Sequence, residues 1–280
     1  MADIEARRGS EPGIGATEAL SLRVSTAVLT KTTFRHPDTG ATMLVLERKA
    51  VVEIGPDGEK ERLQAQPLGG ASRLANPAAL LKVAGQFNYD SSESKAEGDF
   101  RIQIRPTDWP RVQDFCVRHF MTPSTGVIEA NPQRELAEEL GEALQVDVSE
   151  TAYSTRNLGI VVRGATSTHR AGVSGQQTVR VFNIYHVEIT DPQLIAKILE
   201  NTSTVSHESL LDDARAKARS SGKKGKSTAL VAIPLAEVEA AYQAVDLDGE
   251  WPPVTVDGHS IADNVPAVLC EELPKVAVIT

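Results

Sequence analysis

At 280 residues, with 41% hydrophobic and 24% charged side chains, the chain is long enough for one elaborated domain or two modest ones built around an ordinary core. Aromatic residues make up only 4%, which argues against a surface that stacks on nucleic-acid bases. The formal net charge of −9 argues against a large footprint on a phosphate backbone, leaving a small ligand, an anion held through a metal, or a protein partner.

Residues 1–18 are rich in Gly, Pro and charge without apolar periodicity, and read as a disordered tail. Ordered structure is expected from near Leu20; LRVSTAVL, residues 22–29, reads as a strand, and Asp38-Thr39-Gly40 as a turn. ATMLVLERKAVVEI gives one long or two short strands, closed by the turn Gly55-Pro56-Asp57-Gly58. ERLQAQPL is a shorter strand that ends at Gly69-Gly70, which completes an antiparallel meander. Residues 75–84 are helical behind Asn76-Pro77, residues 88–99 are a polar loop, and FRIQIRP is a strand. The segment from Pro110 to Val117 is a short amphipathic helix.

NLGIVVRG and TVRVFNIYHVEIT are the clearest strands, joined in hairpin fashion through a loop full of turn residues. Asp191-Pro192 opens a helix, HESLLDDARAKARS forms another, SGKKGKS is a basic flexible loop, TALVAIPL a strand and AEVEAAYQAV a helix. From Asp246 the chain has many prolines and little periodicity, with AVLCEEL and KVAVIT as short elements. The two cysteines, Cys116 and Cys270, make no disulfide framework and no zinc spacing, and read as reduced, buried thiols. No apolar run reaches the length of a membrane span and no signal-peptide core is present, so a cytoplasmic protein without membrane contact is expected.

The densest chemical signal is Arg134-Glu135-Leu136-Ala137-Glu138-Glu139-Leu140-Gly141. Asn131-Pro132 starts a helix, and Gly141 is read as its stop, about nine residues on. Glu135, Glu138 and Glu139 lie three and four residues apart and share a face, while Leu136 and Leu140 form the docking stripe. Three clustered carboxylates repel one another unless water or a cation compensates them, and hard oxygen donors of this kind suit Mg²⁺ or Mn²⁺.

This stretch resembles the second half of the Nudix signature, Arg-Glu-apolar-x-Glu-Glu-x-Gly-apolar. Arg134, Glu135, Leu136, Glu138, Glu139 and Gly141 match, and Glu142 departs at the last position. The first half is not contiguous, because Phe120 and Gly126 stand where a glycine and a glutamate belong. Gly69-Gly70, at the end of a strand, looks like the displaced glycine segment, with about 50 residues inserted between the halves; long surface insertions are thermodynamically tolerable. Glu129 is then the stand-in for the first glutamate.

The resemblance implies an α/β/α sandwich with a mixed central sheet and an insertion before the motif helix. The domain would run over residues 19–245, with 71–125 inserted and 246–280 as a C-terminal extension. It implies hydrolysis of a nucleoside diphosphate linked to another group, with Mg²⁺ or Mn²⁺ held by Glu135, Glu138, Glu139 and the backbone carbonyl of Gly70. Arg134 would orient the motif glutamates. The implied partner is a nucleotide-type small molecule rather than extended nucleic acid, and family members often dimerise. Two other functions compete: a Nudix-like nucleotide-binding or regulatory module with weak or lost turnover, and an interaction protein with a coincidental acidic helix.

Other motifs carry less. GKKGKST (residues 222–228) lacks the phosphate-loop spacing and precedes a strand, so it reads as a solvated basic loop. Gly172-Val173-Ser174-Gly175 is not a nucleophile elbow. His169 and Arg170 sit in a long loop from which they could reach a substrate phosphate, although an exposed loop histidine is more often idle, and His186 reads as a structural strand residue. His36, His119, His207 and His259 suggest no metal cluster; Trp109 and Trp251 read as core packing.

Overall fold

A computed structural model describes residues 19–55, 58–168, 175–247 and 251–280. The expected 1–18 tail, Pro56-Asp57 of the second turn, and the segment from His169 to Ser174 lie outside the described residues.

The chain opens with β1 (Leu22–Arg35), β2 (Thr42–Gly55), β3 (Gly58–Gln66), β4 (Leu68–Ala71) and β5 (Arg73–Leu74). α1 (Pro77–Ala84), β6 (Asn88–Tyr89), α2 (Ser92–Glu97), β7 (Arg101–Ile104), α3 (Trp109–Met121) and β8 (Ile128–Glu129) lead to α4 (Pro132–Leu144). Next come β9 (Tyr153–Ser167), β10 (Gln177–Ile189), α5 (Pro192–Thr204), α6 (His207–Ser221), β11 (Lys224–Pro234) and α7 (Leu235–Gln243). β12 (Val254–Val256), β13 (His259–Ile261), α8 (Val265–Val268) and β14 (Val278–Ile279) finish the chain.

The sheet is mixed. β1 runs parallel to β10 along one edge, and its other edge is shared in turn by β7, β4 and β2, all antiparallel. β9 and β10 form the expected antiparallel hairpin, and β2 is flanked by β3 and β11. The period-two alternation of the strands divides the core between two faces. Leu29, Leu44, Leu46, Phe182 and Ile184 pack with Val238, Tyr242 and Val268, beneath α7 and α8. Phe34, Val45, Val187 and Ile189 on the other face pack with Leu136 and Leu140 of α4 and Leu194 and Ile198 of α5. Val24, Val179 and Val181 continue that second face under Phe115 and Cys116 of α3. The result is an α/β/α sandwich with a mixed central sheet.

Several sequence readings change. Residues 88–99 are not all loop: Ser91 accepts the Ser94 N–H at 3.0 Å, Gly98 closes in a left-handed conformation, and α2 lies between them. The basic segment around residues 221–227 is mostly strand, because β11 starts at Lys224 and places Ser227 and Ala229 on the face packed by α6. Of the two alternatives for ATMLVLERKAVVEI, the single long strand is the one found, β2. The segment 71–125 is woven into the sheet by β7, which pairs with Leu22–Ser25 of β1. Residues 251–280 pack equally closely: β14 joins β9, β13 joins β3 at Ile261 and Ala65, and Ala262 accepts the Tyr242 hydroxyl at 2.9 Å. Among the described residues no helix is long and apolar enough to cross a membrane.

Candidate functional site

The motif helix α4 forms where the sequence starts it. The Asn131 side chain accepts the N–H groups of Gln133 at 3.0 Å and Arg134 at 3.4 Å, and Pro132 occupies the first turn, where its missing N–H costs nothing. The helix does not stop at Gly141. It continues to Leu144 and ends at Gln145 in a left-handed conformation, φ 54°. A glycine inside a helix costs roughly 1 kcal/mol of propensity, which the burial of Leu136 and Leu140 on the same helix outweighs. With those leucines docked, Glu135 and Glu139, one turn apart, face β4.

β4 carries Gly69-Gly70 and pairs with Val28 and Leu29 of β1. Gly69 adopts φ +138°, and a Cβ there would overlap the Val28 carbonyl and stand 3.0 Å from the Leu29 Cα. A Cβ on Gly70 would overlap the Glu135 carboxylate. The Gly69 N–H donates to Glu139 Oε2 at 2.5 Å. Two segments far apart in sequence therefore meet in space: the Gly69-Gly70 backbone lies directly against carboxylates of α4.

Negative charge accumulates here. Burial pushes the Glu139 carboxyl well above the usual range; Glu47 adds to this, and the Gly69 N–H and Lys49 oppose it. Glu47 is itself buried, receiving hydrogen bonds from Gln66 Nε2 at 2.8 Å and Lys49 Nζ at 3.1 Å. Burial also raises Glu135, against the pull of Arg134 and with the push of Glu138, Asp99 and Glu129. Arg134 holds the acidic edge together: it pairs with Glu135, with Glu138 at 3.1 Å and with Glu129 at 3.5 Å. Glu138 is exposed on the flank of the helix, and Glu129, on β8, also lies 3.7 Å from Arg73. Of the predicted site residues, Glu135, Glu139 and Gly70 are brought together, Arg134 braces them, and Glu138 and Glu129 pair with Arg134, near enough to Glu135 to raise its carboxyl.

Among the described residues no three His, Cys, Asp or Glu side chains already stand in ion-binding geometry. The donor set nevertheless fits a hard divalent cation: carboxylates of Glu135 and Glu139 lie beside a glycine backbone, and the burial and neighbouring acids that raise both carboxyls are what a cation would offset. The profile of the SMODS-associated NUDIX domain matches residues 57–233, more than half of the chain. The chain belongs to that family. No curated protein and no solved structure matches it.

The Nudix match starts after β1 and β2, although β1 is the strand against which β4 is held. Beside Glu135 this Nudix chain opens a cleft of about 440 Å³, lined among others by Ala71, Arg73, Asp99, Arg101, Arg134 and Lys226. Two contributors escaped the sequence reading. Glu47 was one of several alternating residues of β2, and its only signal is an acid inside an apolar run; Lys226 was assigned to a flexible loop. Elsewhere, His186 Nε2 shares a 2.8 Å hydrogen bond with Thr33 Oγ1, and Trp251 is buried under the Arg163 guanidinium, 5.1 Å from its ring centre. His207 and His259 meet at 2.9 Å, a contact their spacing in sequence hides. Both cysteines are free and buried.

Proposed function

We propose that the chain is a divalent-metal-dependent hydrolase that cleaves the pyrophosphate of a nucleoside diphosphate linked to another group. The observation that carries this reading is the seating of Gly69-Gly70 against Glu139 and Glu135. Glu135, Glu139 and the Gly70 carbonyl would hold Mg²⁺ or Mn²⁺. A cation there supplies charge neutralisation of the pyrophosphate and acidification of the attacking water. The protein's own part is positional. Arg134 keeps Glu135 turned toward β4, the Gly69 N–H fixes the Glu139 carboxylate, and Lys49 and Gln66 hold Glu47 beneath it.

A second reading is a Nudix-like nucleotide-binding or regulatory module without turnover. It is favoured by one observation: Glu138 and Glu129 are already engaged in ion pairs with Arg134 and Arg73. A panel of nucleoside diphosphate derivatives assayed with Mg²⁺ or Mn²⁺ separates the two. Metal-dependent turnover that falls at least about 100-fold in Glu139→Gln is expected. Metal-dependent binding without turnover across the panel would favour the module, and turnover indifferent to Glu139→Gln would remove the proposed site.

A further inference from the structure

The outer strands β3, β2 and β11 have two unlike faces. On one, Ala50, Val52 and Ala229 are packed by Ala214 and Ala218 of α6. On the other, alternation and register set out cross-strand rows that start at the proposed site. The first row is Gln66, Glu47 and Leu230, the second Gln64, Lys49 and Thr228, and the third Arg62, Val51 and Lys226. From Glu47 to Val51 is four residues, about 13 Å along an extended strand. Arg62 and Lys226 are exposed on either side of the buried Val51.

The charge on this face runs against that of the molecule. The chain carries −9 overall, yet Lys49, Arg62 and Lys226 share these three rows with Glu47 as their only acid. Lys226 also lines the cleft beside Glu135, where Arg73, Arg101 and Arg134 are balanced by Glu93, Glu97, Asp99 and Glu135, so the excess of positive charge lies on the strand rows and not in the cleft. One lysine thus belongs both to the cleft at the motif helix and to the cationic row about 13 Å beyond Glu47. An anion that extended from a pyrophosphate at Gly70 along this face would reach the row in which Arg62 and Lys226 flank Val51. Guanidinium and ammonium donors placed together suit a phosphate group.

We propose that this sheet face is a phosphate subsite, with Arg62 and Lys226 selecting substrates whose linked group carries a further phosphate. The inference rests on the pyrophosphate hydrolase reading for the position of the substrate, and it narrows the substrate class. Arg62 and Lys226 are positioning residues, and they leave the bond-breaking carboxylates untouched.

The test uses two non-hydrolysable methylene-bridged nucleoside diphosphate analogues, one linked to a neutral hexose and the other to a hexose phosphate. Binding of each is measured by calorimetry with Mn²⁺ at low salt, for the full chain and for Arg62→Gln, which lies outside the cleft. Arg62 is exposed, so melting temperature checks that the fold is intact. The full chain is expected to prefer the phosphorylated analogue by about tenfold. Arg62→Gln should lose most of that preference while binding the neutral analogue within about twofold of the unaltered chain, and added salt should mimic the variant. Equal affinity of the full chain for both analogues, equal weakening of both in the variant, or no binding of either would overturn the subsite. Failure of the hydrolase reading looks different: the hydrolysable parent compounds would resist turnover while the phosphate preference in binding persisted.

Discussion

Replacing Gly69 and Gly70 by alanine, one at a time, separates what the fold needs from what the site needs. At Gly69 the obstacle is backbone: φ is +138°, and the new Cβ would overlap the Val28 carbonyl and sit 3.0 Å from the Leu29 Cα. Neither neighbour can move without breaking the pairing of β4 with β1. The dihedral alone costs roughly 1–3 kcal/mol, and forced overpacking adds about 1–3 kcal/mol. Gly69→Ala should therefore lose about 3 kcal/mol or more, a fall in melting temperature of about 6 °C or more for a chain of this size.

At Gly70 the obstacle is the end of a side chain, the Glu135 carboxylate, which can swing aside. The structural cost is the partly exposed Glu135–Arg134 pair, about 1 kcal/mol or less. The functional cost is greater, since a displaced Glu135 no longer faces Glu139. A cation at about 100 times its dissociation constant stabilises a folded protein by about 2.7 kcal/mol, and Gly70→Ala should abolish that gain along with turnover. Thermal melts with and without Mn²⁺, read beside a hydrolysis assay, show both effects. Equal destabilisation by the two substitutions, or a full Mn²⁺ shift retained in Gly70→Ala, would refute the reasoning.

Removing the charge in Glu139→Gln relieves its repulsion with Glu47 while leaving an oxygen to accept the Gly69 N–H. The metal-free variant should be about 1–2 kcal/mol more stable than the unaltered chain by urea denaturation, yet gain nothing from Mn²⁺. Leu140→Ala, at a fully buried position of α4, should cost about 2–5 kcal/mol and weaken turnover by loosening the helix that carries the carboxylates. His259 is held below its ordinary pKa by burial, then by His207 and Arg48. The unfolded chain therefore takes up that proton first, and stability should fall as pH drops below about 6.5. His259→Gln should flatten that part of the pH profile, and an unchanged slope would show that the histidine contact contributes nothing.

Much of this architecture could be read from the sequence because local rules agreed with the tertiary outcome. Asn131-Pro132 started α4, Asp191-Pro192 started α5, and the alternating runs became β1, β2, β9 and β10. Gly141 misled because a glycine tolerates a helix interior when leucines on the same helix are buried, which is a tertiary fact. α2 was hidden by a polar composition that offers no apolar stripe; its caps, Ser91 and Gly98, are its only local mark. The last 30 residues pack as edge strands and a short helix, whose stabilisation comes from the sheet they join and leaves little periodicity of their own. Within the site, Glu135 and Glu139 were legible by helical spacing and Gly70 by its place at a strand end. Glu47 and Lys226 were not, because what gives them meaning is register between strands distant in sequence.

The central claim is that Gly70, Glu135 and Glu139, drawn from two distant segments, form one cation site. Titration of Mn²⁺ into the metal-free chain, followed by electron paramagnetic resonance, tests it most directly. One tight equivalent should bind the unaltered chain and be lost in Glu139→Gln and in Gly70→Ala. Tight binding undiminished in both variants would contradict the claim.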